Sequence, residues 1–235
     1  MKVLDLFSGI GGFSLGLERA GMETVAFCEI DPFCQKVLKK HWPDVPIFDD
    51  VRGLDYDGSV DLICGGYPCQ PFSVAGNRKG EEDDRHLWPA MFSLIQKYRP
   101  NWVIGENVAG HINMGLDDVL ADLENEGYAA RTFVIPACAV NAKHRRERLW
   151  IVANCTRSIG DEYEVEQRYG ETSLQEVFRD RDSAFDGGAR WTPEGFVCRK
   201  ANGVPDRMDR LKALGNAVVP QIPEIIGRAI MEASQ

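Results

Sequence analysis

Residues 2–7 (KVLDLF) form a short apolar run, and a glycine-rich turn, Ser8-Gly9-Ile10-Gly11-Gly12, follows directly. Phe13, Leu15, Leu17 and Ala20 then recur at helical spacing until Gly21. An apolar run of this length predicts a buried strand, and the period that follows predicts a helix stopped by glycine. A strand, a glycine turn and a helix in that order make up the opening unit of an open α/β sheet. Few other folds accept this start, because the turn must leave a strand and enter a helix within five residues.

The pattern continues in the same alternation. Residues 23–28 (ETVAFC) predict a second strand ending at Glu29, and Asp31-Pro32 starts a helix running to about Lys40, with proline near its first position. Further strands are expected over 60–64 (VDLIC), 101–105 (NWVIG), 129–135 and 148–153, and helices over 87–98, 115–126 and 220–233. Strands alternating with helices of this length indicate βαβ units and a mainly parallel sheet flanked by helices, a Rossmann-like α/β fold. Residues 155–203 break the pattern: they are polar, glycine-containing and without a clear period. Such a stretch is either functional or a small lobe of its own.

Composition narrows the function classes. With 44% apolar and 27% charged residues in 235, the chain reads as an ordinary globular protein. No apolar run approaches a membrane span, and the N-terminus lacks the pattern of a secretion signal, so a cytoplasmic protein without a membrane partner is expected. The seven cysteines contain no C-x-x-C pair, which argues against a zinc cage, and no metal is expected. The net charge of −9 disfavours a generic nucleic-acid binder, but the basic residues cluster. Residues 143–148 hold four cations against one anion, net +3, and residues 199–212 hold five against two, also net +3. An acidic chain with two such patches can still bind a polyanion.

Five elements carry chemistry. The glycine turn offers free N–H groups, and Glu29 suits a ribose diol, so a nucleotide-like cofactor is indicated. The spacing G-I-G-G departs from the dinucleotide fingerprint and disfavours NAD, and a turn that only packs stays open as an alternative. The second element, Gly65-Gly66-Tyr67-Pro68-Cys69-Gln70-Pro71-Phe72-Ser73, follows a strand and holds a cysteine between two prolines. A thiolate in such a loop is a strong nucleophile. The third, Glu106-Asn107-Val108, places a carboxyl group after another strand, where it can protonate or hydrogen-bond a ring nitrogen. The fourth is the basic run to Arg148, and the fifth is Gly215-Asn216-Ala217-Val218-Val219-Pro220.

In this order the five elements resemble the cytosine-5 DNA methyltransferase family. The likeness rests on D-L-F-S-G-I-G-G-F, G-G-x-P-C-Q-P-F-S, E-N-V, R-x-R and G-N-A-V. Asp49-Asp50-Val51 and Asp84-Arg85-His86-Leu87-Trp88 match further elements of the family. One departure is His144, which stands where the family's basic element often has glutamine. The resemblance covers about 1–153 and 204–235. It implies a discontinuous catalytic and cofactor-binding domain over those two stretches, of the class I methyltransferase type, with residues 154–203 as a small target-recognition lobe.

It further implies S-adenosyl-L-methionine as cofactor. Phe7 would stack on the adenine, Gly9 and Gly11 would admit the methionine part, and Glu29 would hold the ribose hydroxyls. Ile30, Val51 and Pro68 would border the cofactor, Asp50 would accept from the adenine amino group, and Asn216 and Val218 would close the pocket. Cys69, Glu106 and Arg148 would be catalytic, acting on a cytosine flipped out of double-stranded DNA. Gln70, Ser73, Arg85, Arg145, Arg146, Arg207 and Arg210 would contact the nucleic acid. A monomeric bacterial or phage enzyme, with a cognate restriction enzyme as functional partner, is the expectation. Two alternatives remain: an RNA cytosine methyltransferase, whose transfer-RNA branch carries a C-F-T element not found in this chain, and a non-catalytic DNA-binding subunit.

Overall fold

The structure is a computed structural model that describes residues 1–68, 87–155 and 213–234. Seven strands form one sheet: β1 (Lys2–Leu6), β2 (Glu23–Cys28), β3 (Ile47–Phe48), β4 (Leu62–Gly65), β5 (Trp102–Val108), β6 (Tyr128–Pro136) and β7 (Glu147–Cys155). Their order across the sheet is β3-β2-β1-β4-β5-β7-β6. β3, β2, β1, β4 and β5 pair in parallel, whereas β7 runs antiparallel to both of its neighbours. The Rossmann-like, mainly parallel expectation therefore holds, with one reversed strand.

Among the described residues, α1 (Gly12–Arg19), α2 (Pro32–His41), α3 (Trp88–Tyr98), α4 (Leu116–Asn125) and α5 (Gln221–Ala233) flank the sheet. Local chemistry sets their ends. The Asp31 side chain accepts the Phe33 N–H at 2.9 Å and Pro32 opens α2, while Lys39, Lys40 and His41 sit at its negative C-terminal end. Asp117 and Asp118 occupy the first turn of α4, where the helix dipole favours acids.

Alternation along the strands divides the core in two. Leu4, Leu6, Ile63, Val103, Leu149 and Ile151 face one side and pack with residues of α3 and α4. Val3, Leu62, Cys64, Ile104, Trp150 and Val152 face the other and pack with Phe13 and Leu17 of α1 and Ile222, Ile226 and Ile230 of α5. Strands buried on both faces explain why their sequences read as continuous apolar runs. Among the described residues, no helix is long and apolar enough to cross a membrane.

Candidate active site

In an open α/β sheet, ligands bind beyond the carboxyl ends of the strands where the strand order reverses. Here that point lies between β1 and β4. Phe7 leaves β1 with φ 54°, a left-handed conformation unusual for a side chain of its size, and Gly9 and Gly11 also have positive φ. Ser8 ties the turn down: its N–H donates to Cys28 O at 3.1 Å and its hydroxyl to Asp5 O at 2.6 Å. Across the turn, Asp5 Oδ2 accepts from the Ser14 hydroxyl at 2.7 Å and the Ser14 N–H at 3.3 Å. Asp5 is fully buried, and burial pushes its carboxyl group up to about 7 against the pull of the Ser14 hydrogen bonds.

Glu29 directly follows β2 and is nearly buried. Its Oε2 accepts the Gly9 N–H at 2.6 Å and its Oε1 the Asp31 N–H at 2.7 Å, so one carboxylate orders both loops at this edge. Ile30 beside it is 71% exposed, an apolar side chain facing solvent at the mouth of the cleft. Asp50 opens a short 3-10 turn, Val51–Gly53, accepts the Arg52 N–H at 2.9 Å and pairs with the Arg52 guanidinium at 2.8 Å. Those bonds hold the Asp50 carboxyl below the usual range. Val51 is buried in the core below it. Gly9 has no atom within 4 Å of where a Cβ would stand, whereas a Cβ on Gly11 would strike the Trp42 ring. Gly9 thus borders open space and Gly11 makes room for Trp42. An open glycine, a buried carboxylate with unused lone pairs and an exposed isoleucine fit an adenosyl cofactor.

The C-terminal segment returns to this edge. A Cβ on Gly12 would lie 2.7 Å from Val218 O, so the absence of a side chain lets that backbone approach α1. The Arg146 guanidinium donates to Gly215 O. Val218 is half-buried, and Asn216 is exposed.

Glu106 lies within β5, not after it. Pairing with β7 extends the strand to Val108, three residues beyond the run expected from sequence. Because β7 is antiparallel, its first residues stand beside the last residues of β5: Glu106 pairs with Trp150, and Val108 with Arg148. Paired residues share a face, so Glu106 and Arg148 are diagonal neighbours on the α1/α5 side. Arg148 Nε meets Glu106 Oε1 at 2.9 Å, with both side chains largely buried. Burial raises the Glu106 carboxyl above its ordinary range, and the positive charges of Arg148 and Arg146 pull it part of the way back. Desolvation and the nearby Arg148 charge lower the Arg146 guanidinium. A Cβ on Gly66 would lie 3.1 Å from Glu106 Oε2, so the segment leaving β4 runs directly past this carboxyl group.

Pro68, exposed, is the last described residue before position 69. Arg145 pairs with Glu147 at 2.9 Å and is 81% exposed along its side chain, a surface cation. Cys69, Gln70, Ser73, Arg85, Arg207 and Arg210, and residues 156–203 of the expected lobe, lie outside the described residues. Three residues not singled out individually from sequence stand at this edge. Asn107 Nδ2 donates to Tyr67 O at 3.0 Å, and Tyr67 Oη and His111 Nε2 are 2.9 Å apart. Asn107 and Tyr67 lie inside recognised motifs, but nothing in the local pattern marks His111. Among the described residues, no group of three or more His, Cys, Asp or Glu could hold a metal ion.

The family model of the C-5 cytosine-specific DNA methylase matches residues 1–184. The type II methyltransferase M2.BsuMI of Bacillus subtilis (strain 168) is 39% identical, over 66% of this chain and 42% of its own length. The type II methyltransferase M.Eco47II of Escherichia coli is 38% identical, over 64% of this chain and 39% of its own. The chain thus spans less than half the length of these curated relatives. Among solved structures, the S. pombe Dnmt2 methyltransferase superposes with a TM-score of 0.59 at 22% identity, over 75% of this chain and 57% of its own, a likeness of fold. The match to the family model over most of the chain shows that it belongs to the C-5 cytosine-specific DNA methylase family.

Proposed function

We propose that the chain transfers the methyl group of S-adenosylmethionine to carbon 5 of a cytosine flipped out of double-stranded DNA. The observation that carries this is the Glu106–Arg148 pair, buried at the carboxyl edge of the sheet beside the segment that leads to Cys69. Burial makes the Glu106 carboxyl easier to protonate than an exposed one, which suits it to share a proton with a ring nitrogen, and the arginine holds it in place.

S-adenosylmethionine supplies an electrophilic methyl group when bound. Glu29, with Gly9 and the Asp31 amide already on its oxygens, would take the ribose hydroxyls. Phe7, Ile30, Val51 and Pro68 would enclose the adenine, Asp50 would meet its amino group, and Asn216 and Val218 would close the far side. The Cys69 thiolate adds to carbon 6 of cytosine while Glu106 hydrogen-bonds or protonates ring nitrogen 3, so charge is neutralised as it develops. Carbon 5 then carries the electron pair that takes the methyl group. Loss of the carbon-5 proton to water and departure of the Cys69 sulfur restore the ring double bond.

Such chemistry cannot proceed inside a stacked duplex, so the base leaves the helix. Gln70, Ser73, Arg85, Arg145, Arg146, Arg207 and Arg210 would hold the DNA, and residues 154–203 would read the target next to the discontinuous domain 1–153 plus 204–235. The type II names of the two relatives support a restriction-modification role, and a monomer working beside a cognate restriction enzyme is part of this proposal. The test is transfer of labelled methyl from S-adenosylmethionine to duplex DNA, with RNA in parallel, followed by bisulfite sequencing. Transfer to DNA at defined cytosines is expected. Label in RNA alone, or in neither polymer, would overturn the assignment.

A further inference from the structure

Tyr67 sits two residues before Cys69 in sequence, and more is attached to it than a backbone turn requires. Along β4 and its continuation, alternation sends Gly66 toward Glu106 and Tyr67 to the opposite face of the sheet, among α3 and α4. There its ring is 3% exposed. It lies 5.1 Å from the Trp88 ring and 5.5 Å from the His111 ring, centroid to centroid. A Cβ on Gly105 would be 3.3 Å from the ring edge, so β5 makes room for it by having no side chain at that position.

Two polar contacts then fix the residue at both ends. Tyr67 Oη meets His111 Nε2 at 2.9 Å, with His111 itself 3% exposed, and Asn107 Nδ2 holds Tyr67 O at 3.0 Å. The Asn107 amide is oriented in turn, because its Oδ1 accepts the Val108 N–H at 2.9 Å. The next residue is proline, whose ring fixes its own φ. With the Tyr67 carbonyl held, ψ of Pro68 is the one soft backbone torsion before the peptide unit that enters Cys69.

We propose that His111 is a positioning residue for Cys69, acting through the phenol of Tyr67. This rests on the methyl-transfer function proposed above. The hydrogen bond locks the Tyr67 ring against Gly105 and Trp88. The locked ring and Asn107 together fix the Tyr67–Pro68 peptide, the last anchored unit before Cys69 in sequence. Gly9 and Glu29 of the proposed cofactor edge follow other strands, β1 and β2, and only Pro68 adjoins this link.

The experiment compares Tyr67→Phe, His111→Leu, His111→Gln and the Tyr67→Phe/His111→Leu double variant with the parent chain. It measures kcat, the KM for S-adenosylmethionine and the thermal midpoint. Since misplacement by about 1 Å can cost ~10²-fold, each of the first two variants should lower kcat roughly ten- to a hundredfold. The KM for S-adenosylmethionine should move far less than kcat, since of the proposed cofactor residues only Pro68 adjoins this link. The double variant should be no worse than either single one, because both remove the same link. His111→Gln, which keeps a polar group near the phenol, should regain most of the loss. Parental kcat in Tyr67→Phe, losses that multiply in the double variant, or a KM shift as large as the kcat shift would overturn the proposal. Should His111→Leu fail to fold, Tyr67→Phe, which removes a single oxygen, decides the question with His111→Gln. A parent that transfers no methyl group defeats the functional assignment and this proposal together, whereas an active parent with unaffected variants defeats this proposal alone.

Discussion

Arg148 Nε lies 2.9 Å from Glu106 Oε1, across two strands that run in opposite directions. Had β7 run parallel to β5, its first residues would stand at the other edge of the sheet and the two charges would be a strand length apart. The reversed strand is therefore what builds the buried acid of the site. Replacing Glu106 by glutamine removes the transferable proton but keeps the shape. We expect kcat to fall by about 10²-fold or more, the usual share of a general acid, with cofactor binding retained. Single-turnover methyl transfer alongside equilibrium cofactor titration checks it.

Cys69→Ser should abolish methyl transfer while the protein still binds S-adenosylmethionine, because a hydroxyl is a far poorer nucleophile at neutral pH. Duplex DNA with 5-fluorocytosine should trap the parent covalently and leave the serine variant unmodified, as read by denaturing gel.

Glu29→Ala should weaken cofactor binding by about 1–3 kcal/mol, the range for losing charge-assisted hydrogen bonds. It should also loosen the turn, since Gly9 and Asp31 lose their acceptor. The parent should melt higher in saturating S-adenosylmethionine. An unchanged midpoint with S-adenosylmethionine and a shift with NAD would contradict the cofactor assignment.

Gly12→Ala places a methyl group against Val218 O, with a hypothetical separation of 2.7 Å. Backbone cannot swing away as a side-chain tip can, so a loss of about 1–3 kcal/mol in stability is expected. Because Val218 follows Asn216 and Ala217 in the same segment, cofactor affinity should fall with it. Chemical denaturation and cofactor titration of the same preparation measure both.

Asp5 makes stability depend on pH. Its carboxyl group is raised to about 7 in the folded chain from 3.8, so between those values the native state binds more protons than the unfolded one. Unfolding free energy therefore falls as pH rises through that window, by at most about 1.4 kcal/mol per pH unit. Glu106, also raised, adds a slope of the same sign. Asp5→Asn removes the Asp5 share and should flatten the fall measured by thermal melts between about pH 4 and about pH 7, the window set by the unfolded and folded values of Asp5. A variant with the parent's slope would show that Asp5 does not titrate there.

Much of the fold was readable because its cause is local. β1, β2, β4 and the helices follow from apolar runs and periods that each segment carries by itself. The two-residue β3 does not, since Ile47 and Phe48 become a strand only by pairing with Phe27 and Cys28. The last three residues of β5 are strand because β7 lies beside them, a partner about forty residues away. The direction of β7 leaves no trace in its periodicity. In the site, Glu29 and Glu106 could be found from motif and strand position. His111 could not, because its partner Tyr67 lies 44 residues earlier and no local spacing relates them.

Tyr67 and Trp88 are the described residues whose rings meet on either side of positions 69–86, with centroids 5.1 Å apart. The two ends of the intervening stretch are thus held at a fixed span, and the entropy of closing a chain between fixed ends grows only with the logarithm of its length. A doubling costs about 0.6 kcal/mol. The stability of the sheet below therefore depends only weakly on how many residues stand between the tethers.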